Sequence, residues 1–332
     1  MTLIRTPPGW HLPEHAVTPE TAYLNRRQML RSIVGMGLGV VGLPAIAGCQ
    51  QSVRSQAAAH AQLAATLNTP SLEPYQVNPR FAAVDRPTTD RTLAGQYNNY
   101  YEFGSGKSVW QAAQKLPTDP WSVEVTGLVK YPRTYTLEDL LHTFPLEERV
   151  YRFRCVEAWS MVLPWLGFPM RALLTQVEPT PAAKFVRFTA FYDPQLMGGL
   201  FASLYPWPYT EGLRLEEMAN ELAFFAVGLY GKRLPKQHGA PLRMVLPWKY
   251  GFKGAKAIVR IEFVATEPKT FWHTVQPNEY GFLANVEPDV PHPRWSQKTE
   301  RFISTGPGLS WEKRPTLLYN GYANWVSDLY PR

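Results

Sequence analysis

The chain has 332 residues, of which 45% are hydrophobic and 18% are charged, a composition that excludes an intrinsically disordered protein. Its net charge of +7 is spread along the sequence and forms no basic helix or zinc-finger spacing, so the residues predict no nucleic-acid partner. Thirty-one prolines and 23 glycines indicate frequent turns and few long helices, which favours a β-rich fold.

Residues 1–48 are predicted to be an export signal. A basic segment with the pair Arg26 and Arg27 precedes an uncharged, apolar stretch that is shorter than the ~20 residues needed to cross a bilayer. Paired arginines at this position are typical of a twin-arginine signal, which directs a folded protein to the periplasm. Ordinary cleavage and lipid attachment at Cys49 both fit the sequence, so a lipid anchor at Cys49 stays an open alternative.

After the signal, the sequence predicts an extended N-terminal arm over residues 49–95 and one domain over residues 96–332. The arm is inferred from a polar sequence that is interrupted by prolines. Elements of the domain are inferred from alternating apolar residues, from runs rich in valine, isoleucine and phenylalanine, and from capping residues. The predicted strands are Trp121–Val129, a strand ending at Leu137, Arg149–Val156, Lys184–Tyr192, Ala223–Tyr230, Pro241–Trp248 and Lys256–Ala265, and the predicted helices are Thr136–Phe144 and Pro169–Val177.

Cys155 is the most informative residue, because the only other cysteine, Cys49, lies at the end of the signal. A lone thiol in an exported protein has no internal disulfide partner and is expected to be buried, modified or bound. It lies in Tyr151–Met161, where apolar residues alternate with Arg152 and Arg154 as in a strand with one apolar and one basic face. Arginine beside a cysteine favours the thiolate, which is the form that binds metals, although a simple core cysteine is the alternative.

Three further segments carry side chains suited to a polar, anionic ligand. Tyr97–Phe103 holds two amides, a carboxylate and phenol groups that can hydrogen-bond a polar heterocycle. His238–Arg243 combines a glycine, which permits close backbone approach, with the bidentate donor Arg243. Pro247–Lys256 has three lysines and two glycines before a strand, which suits a phosphate cradle but lacks the spacing of a nucleotide-binding P-loop. Each loop alone is also compatible with a solvated surface turn.

Five long motifs make the pattern specific: Tyr97–Gly104, Pro145–Pro164, Gly239–Gly254, His292–Phe302 and Pro315–Tyr322. Together with the paired arginines, they resemble the catalytic subunits of bacterial periplasmic methionine sulfoxide reductases, which are molybdopterin enzymes of the sulfite oxidase fold. The resemblance covers nearly the whole mature chain. It implies an α+β fold, in which a β-rich mixed-sheet domain with short helices binds one molybdenum–molybdopterin cofactor per chain and forms the catalytic domain.

The same resemblance implies that Cys155 is the catalytic residue and the molybdenum ligand. The cofactor-binding residues that it implies are Asn98, Tyr101, Glu102, Thr189, His238, Arg243, Gly254, Ala255 and Lys256. This chain departs from the family in two places. His238 stands where the family commonly has asparagine, and the family's cofactor-binding threonine falls at or beside Ala190, so Thr189 replaces it only if the strand register allows. Tyr101 and Trp159 are candidates to line an open substrate pocket.

The implied activity is oxygen-atom transfer from methionine sulfoxide in oxidised periplasmic proteins, with electrons from a haem-containing integral membrane subunit fed by the quinone pool. The sequence has no Cys-x-x-Cys-His haem motif, and it has no dimerisation domain after the core, which favours a monomeric catalytic subunit. The alternatives are a sulfite-oxidising or other sulfoxide-reducing enzyme of the same fold and a non-catalytic periplasmic binding protein. A thiol-based reductase is disfavoured because a second mature cysteine is missing.

Overall fold

A computed structural model describes residues 57–197, 205–303 and 311–330. The predicted signal over residues 1–48 and the alternative anchor at Cys49 lie outside the described residues. Within the described ranges, no helix is both long enough and apolar enough to cross a membrane.

Short strands and short helices alternate along the chain. The strands are β1 Gln76–Val77, β2 Ser122–Gly127, β3 Arg133–Thr136, β4 Glu147–Arg154, β5 Trp159–Pro169, β6 Phe185–Ala190, β7 Thr210–Arg214, β8 Phe224–Leu229, β9 Lys232–Arg233, β10 Arg243–Val245, β11 Ile258–Val264, β12 Thr299–Ile303 and β13 Trp311–Pro315. The helices are α1 Arg91–Gln96, α2 Leu137–Thr143, α3 Met170–Val177, α4 Pro194–Met197, α5 Leu215–Ala219, α6 Phe271–Val275 and α7 Ala323–Val326. The 3₁₀ turns are Pro79–Phe81, Ala112–Lys115, Lys236–His238, Gly251–Lys253, Leu318–Gly321 and Ser327–Leu329.

The strands of the described chain form two mixed sheets. The larger sheet has the order β1-β4-β5-β12-β13, and β8 joins it by pairing with β5, β9 and β10. The smaller sheet has the order β3-β2-β11-β6-β7. Each sheet contains parallel neighbours, β5 with β12 and β2 with β11, as well as antiparallel ones. The predicted α+β class, with mixed sheets and short helices, is confirmed.

Local signals place several elements where the sequence predicts them. Thr136 and Asp139 form a reciprocal capping box at the start of α2, since Asp139 N–H donates to Thr136 Oγ1 at 3.0 Å and Thr136 N–H donates to the Asp139 carboxylate at 2.9 Å. Helix α3 begins directly after Pro169, which restricts the backbone at the helix entry. The predicted β2, β4, β6, β8, β10 and β11 are present with boundaries shifted by a few residues.

The β4–β5 hairpin forms the centre of the larger sheet and carries Cys155 at its connection. The two strands pair from Glu147 opposite Gly167 to Arg154 opposite Ser160. The prediction of a basic strand face needs correction, because the Arg154 side chain is fully buried and ion-paired rather than exposed. The hairpin contributes its turn to the cleft described below, together with Phe153 of β4 and with Trp159, Met161, Leu163 and Trp165 of β5.

Of the segment over residues 49–95, predicted to be an extended arm, the structure describes residues 57–95, and these are only partly extended. Residues 58–67 are helical, and Leu63 and Leu67 pack together with Trp110 in a small buried cluster. The two leucines lie four residues apart, a spacing typical of one face of a helix. The prediction of an extended arm rested on the prolines and did not use this spacing. The division between arm and catalytic domain stays a prediction.

Candidate active site

A cleft lies at the end of β4 and contains the side chain of Cys155. Most of the predicted cofactor-binding residues line this cleft, although they come from three distant segments of the chain. These residues are Asn98, Tyr101, Glu102, His238, Arg243, Gly254 and Lys256. The fold therefore brings three separate polar segments together around one thiol.

Two local turns place these side chains. Cys155 begins a tight turn in which Ala158 N–H donates to the Cys155 carbonyl at 3.0 Å, and Ala158 has a φ of 63°, in the left-handed region. His238 ends a 3₁₀ turn that Gly239 closes with a φ of 93°. A Cβ on Gly239 would lie 2.6 Å from Cβ of Lys256, so this glycine allows the lysine side chain, rather than a ligand, to approach the backbone.

The Cys155 thiol is buried and has polar neighbours. Asn99 Nδ2 and the Glu157 backbone N–H each lie 3.5 Å from Sγ, and a carboxylate oxygen of Glu157 lies 3.7 Å away. Burial, and then the negative charge of Glu157, raise the pKa of the Cys155 thiol to about 12. Arg154 lowers the pKa of Cys155, as predicted, but by less than burial raises it. The free thiol is therefore protonated, and a bound metal would have to replace that proton.

Glu157 is the centre of a polar cluster beside the thiol. One of its carboxylate oxygens accepts hydrogen bonds from Asn99 Nδ2 at 2.9 Å and from Trp159 Nε1 at 3.1 Å, and also from Lys107 Nζ. Burial opposes ionisation, but these donors outweigh it and hold the pKa of Glu157 below its ordinary value. The sequence places Asn99 in a turn suited to a polar heterocycle, but it assigns no role beside the thiol to Asn99, Lys107 or Glu157. Asn99 and Glu157 lie inside the quoted motifs, whereas nothing in the sequence pointed to Lys107.

Basic side chains form another part of the cleft. Arg243 and His238 are buried, and Arg243 donates to the His238 carbonyl at 2.9 Å. Burial, followed by the charge of Arg243, lowers the pKa of His238 to about 3 and that of Lys256 to about 8. The Nε2 atom of His238 is buried and lacks a hydrogen-bond partner among the described residues. Neutral His238 therefore offers an unused polar atom beside two cationic groups.

The turn after α1 supplies the polar rim near these groups. Asn98 Nδ2 donates to the carbonyls of Ala94 at 3.2 Å and Gly95 at 2.9 Å, so that part of its amide caps the end of α1. Glu102 is buried, and burial raises its pKa to about 7 although Lys256 opposes the shift. Lys256 Nζ donates to the backbone carbonyl of Asn99, which belongs to the same turn, at 2.8 Å. The turn and the basic loop are thus joined directly.

Two predicted cofactor contacts lie outside the cleft lining. The alternating residues of β6 place Ala190 in the core and Thr189 on the outer face with Arg187, in shallow surface grooves away from Cys155. The register of β6 therefore leaves Thr189 outside the lining of the cleft. Ala255 is fully buried behind the lining, where its carbonyl accepts from the backbone N–H of Met244 at 3.0 Å.

The predicted phosphate cradle of three lysines also needs correction. Lys249 lies 2.6 Å from Glu217, and Lys253 lies 3.0 Å from Glu211, in ion pairs with fully buried carboxylates. Only Lys256 of the three lines the cleft. Lysine count along a loop does not reveal these pairings, because both carboxylates come from another part of the chain.

Aromatic rings form the remaining walls. The ring of Tyr97 meets Trp159 edge to face with centroids 5.2 Å apart. On another side, Tyr101 and Trp272 have centroids 4.8 Å apart, and Trp272 and Tyr280 have centroids 5.2 Å apart. All five rings line the cleft, including Tyr101 and Trp159, which the sequence proposed for a substrate pocket. Such walls can contact an apolar thioether, because sulfur packs favourably against aromatic rings.

The donor set fits a metal cofactor that brings its own ligands and an anionic group. No group of three histidine, cysteine, aspartate or glutamate side chains suited to a metal occurs in the part of the chain that the structure describes. Cys155 provides one soft thiolate donor, and Arg243 and Lys256 form no ion pair with a carboxylate among the described residues. The orphaned Nε2 atom of His238 and these cations suit a phosphate. The residues therefore fit molybdopterin.

Comparison with known proteins gives the family. Residues 111–272 match the family described as oxidoreductase molybdopterin binding domain. A solved structure, the sulfane dehydrogenase SoxCD from Paracoccus pantotrophus, aligns with a TM-score of 0.47 and 16% identity, over 80% of this chain and 64% of that chain. The protein-methionine-sulfoxide reductase catalytic subunit MsrP of Burkholderia mallei is 44% identical, over 97% of this chain and 94% of that protein. The subunit of the same name from Pseudomonas syringae pv. tomato is 47% identical, over 99% and 97% of the two lengths. With this identity over almost its full length, the chain belongs to the family of protein-methionine-sulfoxide reductase catalytic subunits.

Proposed function

We propose that this protein reduces methionine sulfoxide in oxidised proteins by oxygen-atom transfer at a molybdenum–molybdopterin cofactor bound in the Cys155 cleft. The observation that carries the proposal is the presence, in one cleft, of a single buried thiol and of Arg243 and Lys256 without ion-pair partners among the described residues. A soft metal donor beside an anion-binding group is the combination that this cofactor requires. Identities of 44% and 47% to reductase catalytic subunits support the same assignment.

Specific residues would hold the cofactor. Cys155 would bind the metal, and Arg243, His238 and Lys256 would bind the phosphate through charge and the free ring nitrogen. Gly254 would close the loop, since a Cβ there would lie 3.1 Å from the guanidinium of Arg243 and would crowd it. The turn residues that would contact the pterin are Asn98, Tyr101 and Glu102, and Ala255 supports this loop from behind.

When bound, the cofactor supplies a two-electron redox centre that accepts the oxygen atom of a sulfoxide. The chain's own residues shape the approach to it. Asn99, Lys107 and Glu157 form a hydrogen-bonded polar cluster beside the thiol. The aromatic rings, among them Tyr101 and Trp272, offer apolar contacts to the side chain whose sulfur reacts. An open cleft of this kind suits a side chain that projects from a protein surface.

Export and electron supply complete the proposal. The arginine pair of the segment over residues 1–48 supports twin-arginine export to the periplasm, with a lipid anchor at Cys49 as the alternative to cleavage. From the resemblance to reductase catalytic subunits, we infer that electrons come from a haem-containing integral membrane subunit; the sequence carries no haem-binding motif of its own. The substrates would be oxidised periplasmic proteins. A monomer with an arm over residues 49–95 and a catalytic domain over residues 96–332 belongs to the same proposal.

The test measures molybdenum content and methionine sulfoxide reduction, with a dithionite-reduced dye as electron donor, in purified wild-type protein and in Cys155→Ser. We expect about one molybdenum per chain, with turnover that disappears in the variant. Cys49→Ser is the matched control and should retain metal and turnover. Bound molybdenum with sulfite oxidation but no sulfoxide reduction would reverse the assigned reaction. Protein without molybdenum, from cells able to insert the cofactor, would refute the proposal and favour a binding protein.

A further inference from the structure

The turn that carries Cys155 and Glu157 is held from behind by two side chains from the segment before β12. Val156 lies between the two functional residues, and its backbone carbonyl accepts two hydrogen bonds. Gln297 Nε2 donates to this oxygen at 2.7 Å, and Trp295 Nε1 donates to it at 2.8 Å. A single peptide group next to the thiol is therefore fixed by residues that lie far away in the sequence.

Gln297 is also linked, through the side chain of Arg154, to the peptide group of Cys155. It is 1% exposed, and its Oε1 accepts from Nη2 of Arg154 at 2.8 Å. Arg154 is fully buried, donates to the carbonyl of Cys155, and pairs with Glu300 at 3.2 Å. The Gln297 amide thus donates to the Val156 carbonyl and accepts from Arg154, and Arg154 in turn donates to the Cys155 carbonyl. Both polar ends of the glutamine are used, as expected of a buried polar group with a defined orientation.

The conformation of the turn explains why such support is needed. Ala158 closes the turn with a φ of 63°, in a region that residues other than glycine seldom adopt. Backbone of this kind persists where surrounding contacts over-determine it. The hydrogen bonds from Arg154, Gln297 and Trp295 to consecutive carbonyls provide those contacts. Without them, the peptide planes on either side of Val156 are freer to rotate, and the direction of the Cys155 side chain changes with them.

We propose that Gln297 is a positioning residue, with Trp295 as a second donor, which sets the direction in which Cys155 presents its sulfur to the metal. The inference rests on the proposed function, because it takes Cys155 as the metal ligand. Neither residue lines the cleft, so both act through the turn and not by contact with a ligand. Groups that orient metal ligands through hydrogen bonds are worth about 10–100-fold in activity or metal affinity.

The experiment compares the cofactor-loaded wild type with Gln297→Leu, Gln297→Glu and Trp295→Phe. Leucine removes both ends of the amide. Glutamate keeps its shape and the acceptor for Arg154 but replaces the donor to Val156 with an oxygen. Phenylalanine keeps an aromatic ring and removes the N–H together with part of the indole ring system. The matched control is Asn220→Leu, because Asn220 also uses both ends of its amide, to the Trp325 carbonyl at 2.9 Å and the Leu222 N–H at 3.0 Å, but lies outside the cleft lining.

The readouts are molybdenum content, kcat and KM for methionine sulfoxide, and the electron paramagnetic resonance spectrum of the Mo(V) state. Coupling of the unpaired electron to the cysteine β-protons depends on the dihedral angle about the S–Cβ bond, so it reports sulfur direction independently of turnover. Both Gln297 variants should alter this coupling and lower kcat by about 10–100-fold with little change in KM. Trp295→Phe should shift both in the same direction by less, and Asn220→Leu should leave both unchanged.

Wild-type spectra and kcat in loaded Gln297→Glu and Gln297→Leu would overturn the positioning role, while a wild type that holds molybdenum and reduces the sulfoxide would leave the proposed function intact. A wild type without molybdenum would overturn both. If Gln297→Leu does not fold, Gln297→Glu and Trp295→Phe decide the question, since glutamate keeps the volume of Gln297 and Trp295 is only half-buried. A spectral change of equal size in Asn220→Leu would show a general packing effect and would also overturn the assignment.

Discussion

The buried ion pair between Lys249 and Glu217 gives a quantitative test of how this fold holds charge in its core. Lys249 Nζ lies 2.6 Å from Glu217 Oε1, 2.7 Å from the Leu283 carbonyl and 2.9 Å from Asn285 Oδ1, and both charged side chains are fully buried. Burial lowers the pKa of Lys249 to about 7. Burial also opposes ionisation of Glu217, but Lys249 outweighs it and holds the pKa of Glu217 below its ordinary value.

Lys249→Met removes the charge and leaves a buried carboxylate with two weaker partners. These are the hydroxyl of Tyr330 and Arg214, whose backbone N–H donates at 2.9 Å and whose guanidinium lies 3.8 Å from the carboxylate. Removing one partner of a buried ion pair costs ~3–5 kcal/mol, and the remaining partners place the expected loss near the lower end, at about 3 kcal/mol. In the variant, burial of Glu217 is opposed only by these weaker partners, so its folded-state pKa rises relative to that in the wild type. The stability deficit relative to wild type should therefore shrink as the pH falls from 7 towards 4.

Urea unfolding of the purified mature protein at pH 7 and pH 5 measures both effects. Lys130→Met is the matched control, because Lys130 pairs with Glu178 at 3.1 Å while the two side chains are 60% and 53% exposed. That substitution should cost far less than Lys249→Met, because an ion pair in solvent contributes little to stability. Adding Glu217→Gln to Lys249→Met should recover part of the loss, since the buried charge is then gone. Equal small losses at Lys249 and Lys130, or a deficit at Lys249 that grows as the pH falls, would refute the reasoning.

Three further predictions concern the cleft. Burial, followed by the charge of Arg243, lowers the pKa of His238 to about 3, so below pH 6.5 the unfolded chain takes up a proton that the folded chain does not. His238→Asn should therefore remove about 2 kcal/mol of the destabilisation that develops between pH 7.5 and pH 5. An unchanged pH profile of urea unfolding would contradict this. Gly254→Ala would place a Cβ 2.8 Å from the Met244 carbonyl and 3.1 Å from the Arg243 guanidinium, so molybdenum content should fall severalfold by elemental analysis, and full occupancy would show that the loop adapts. Thr189→Ala should leave molybdenum content and kcat unchanged, because Thr189 faces away from the cleft, and a loss of cofactor would reinstate it as a contact.

The β4–β5 hairpin shows where the sequence was sufficient and where it was not. Alternation predicted β4, but β5 was missed because Pro164 and Gly167 are typical of turns. In the structure, the Pro164 carbonyl accepts from Tyr230 N–H at 3.1 Å, and the strand register shifts at Gly167. A Cβ on Gly167 would lie 1.9 Å from the carbonyl of Phe225, so the glycine permits close strand approach. These reasons depend on neighbouring strands, which a local pattern does not reveal.

Within the site, residue types were easier to predict than directions. Asn98 and Asn99 are adjacent amides in one turn, and the resemblance assigned the cofactor contact to Asn98. The Asn98 nitrogen caps α1, whereas Asn99 Nδ2 lies 3.5 Å from the sulfur of Cys155. Thr189 lies outside the cleft lining for a similar reason, since a strand reverses the direction of its side chains at every residue. A motif therefore names the segment that reaches the cleft, and the backbone conformation decides which side chain enters it.

The surroundings of Cys155 bear on the choice between metal and thiol chemistry. Thiol-based catalysis uses the thiolate as nucleophile and needs a pKa near or below ambient pH, together with a resolving partner. Here burial and Glu157 act in the opposite direction and raise the pKa of Cys155 to about 12, and the one other cysteine in the sequence, Cys49, directly follows the predicted signal over residues 1–48. A metal ligand has no such requirement, because coordination replaces the thiol proton and the metal's charge stabilises the thiolate in a buried site. The same burial that disables Cys155 as a free nucleophile therefore suits it to hold a metal.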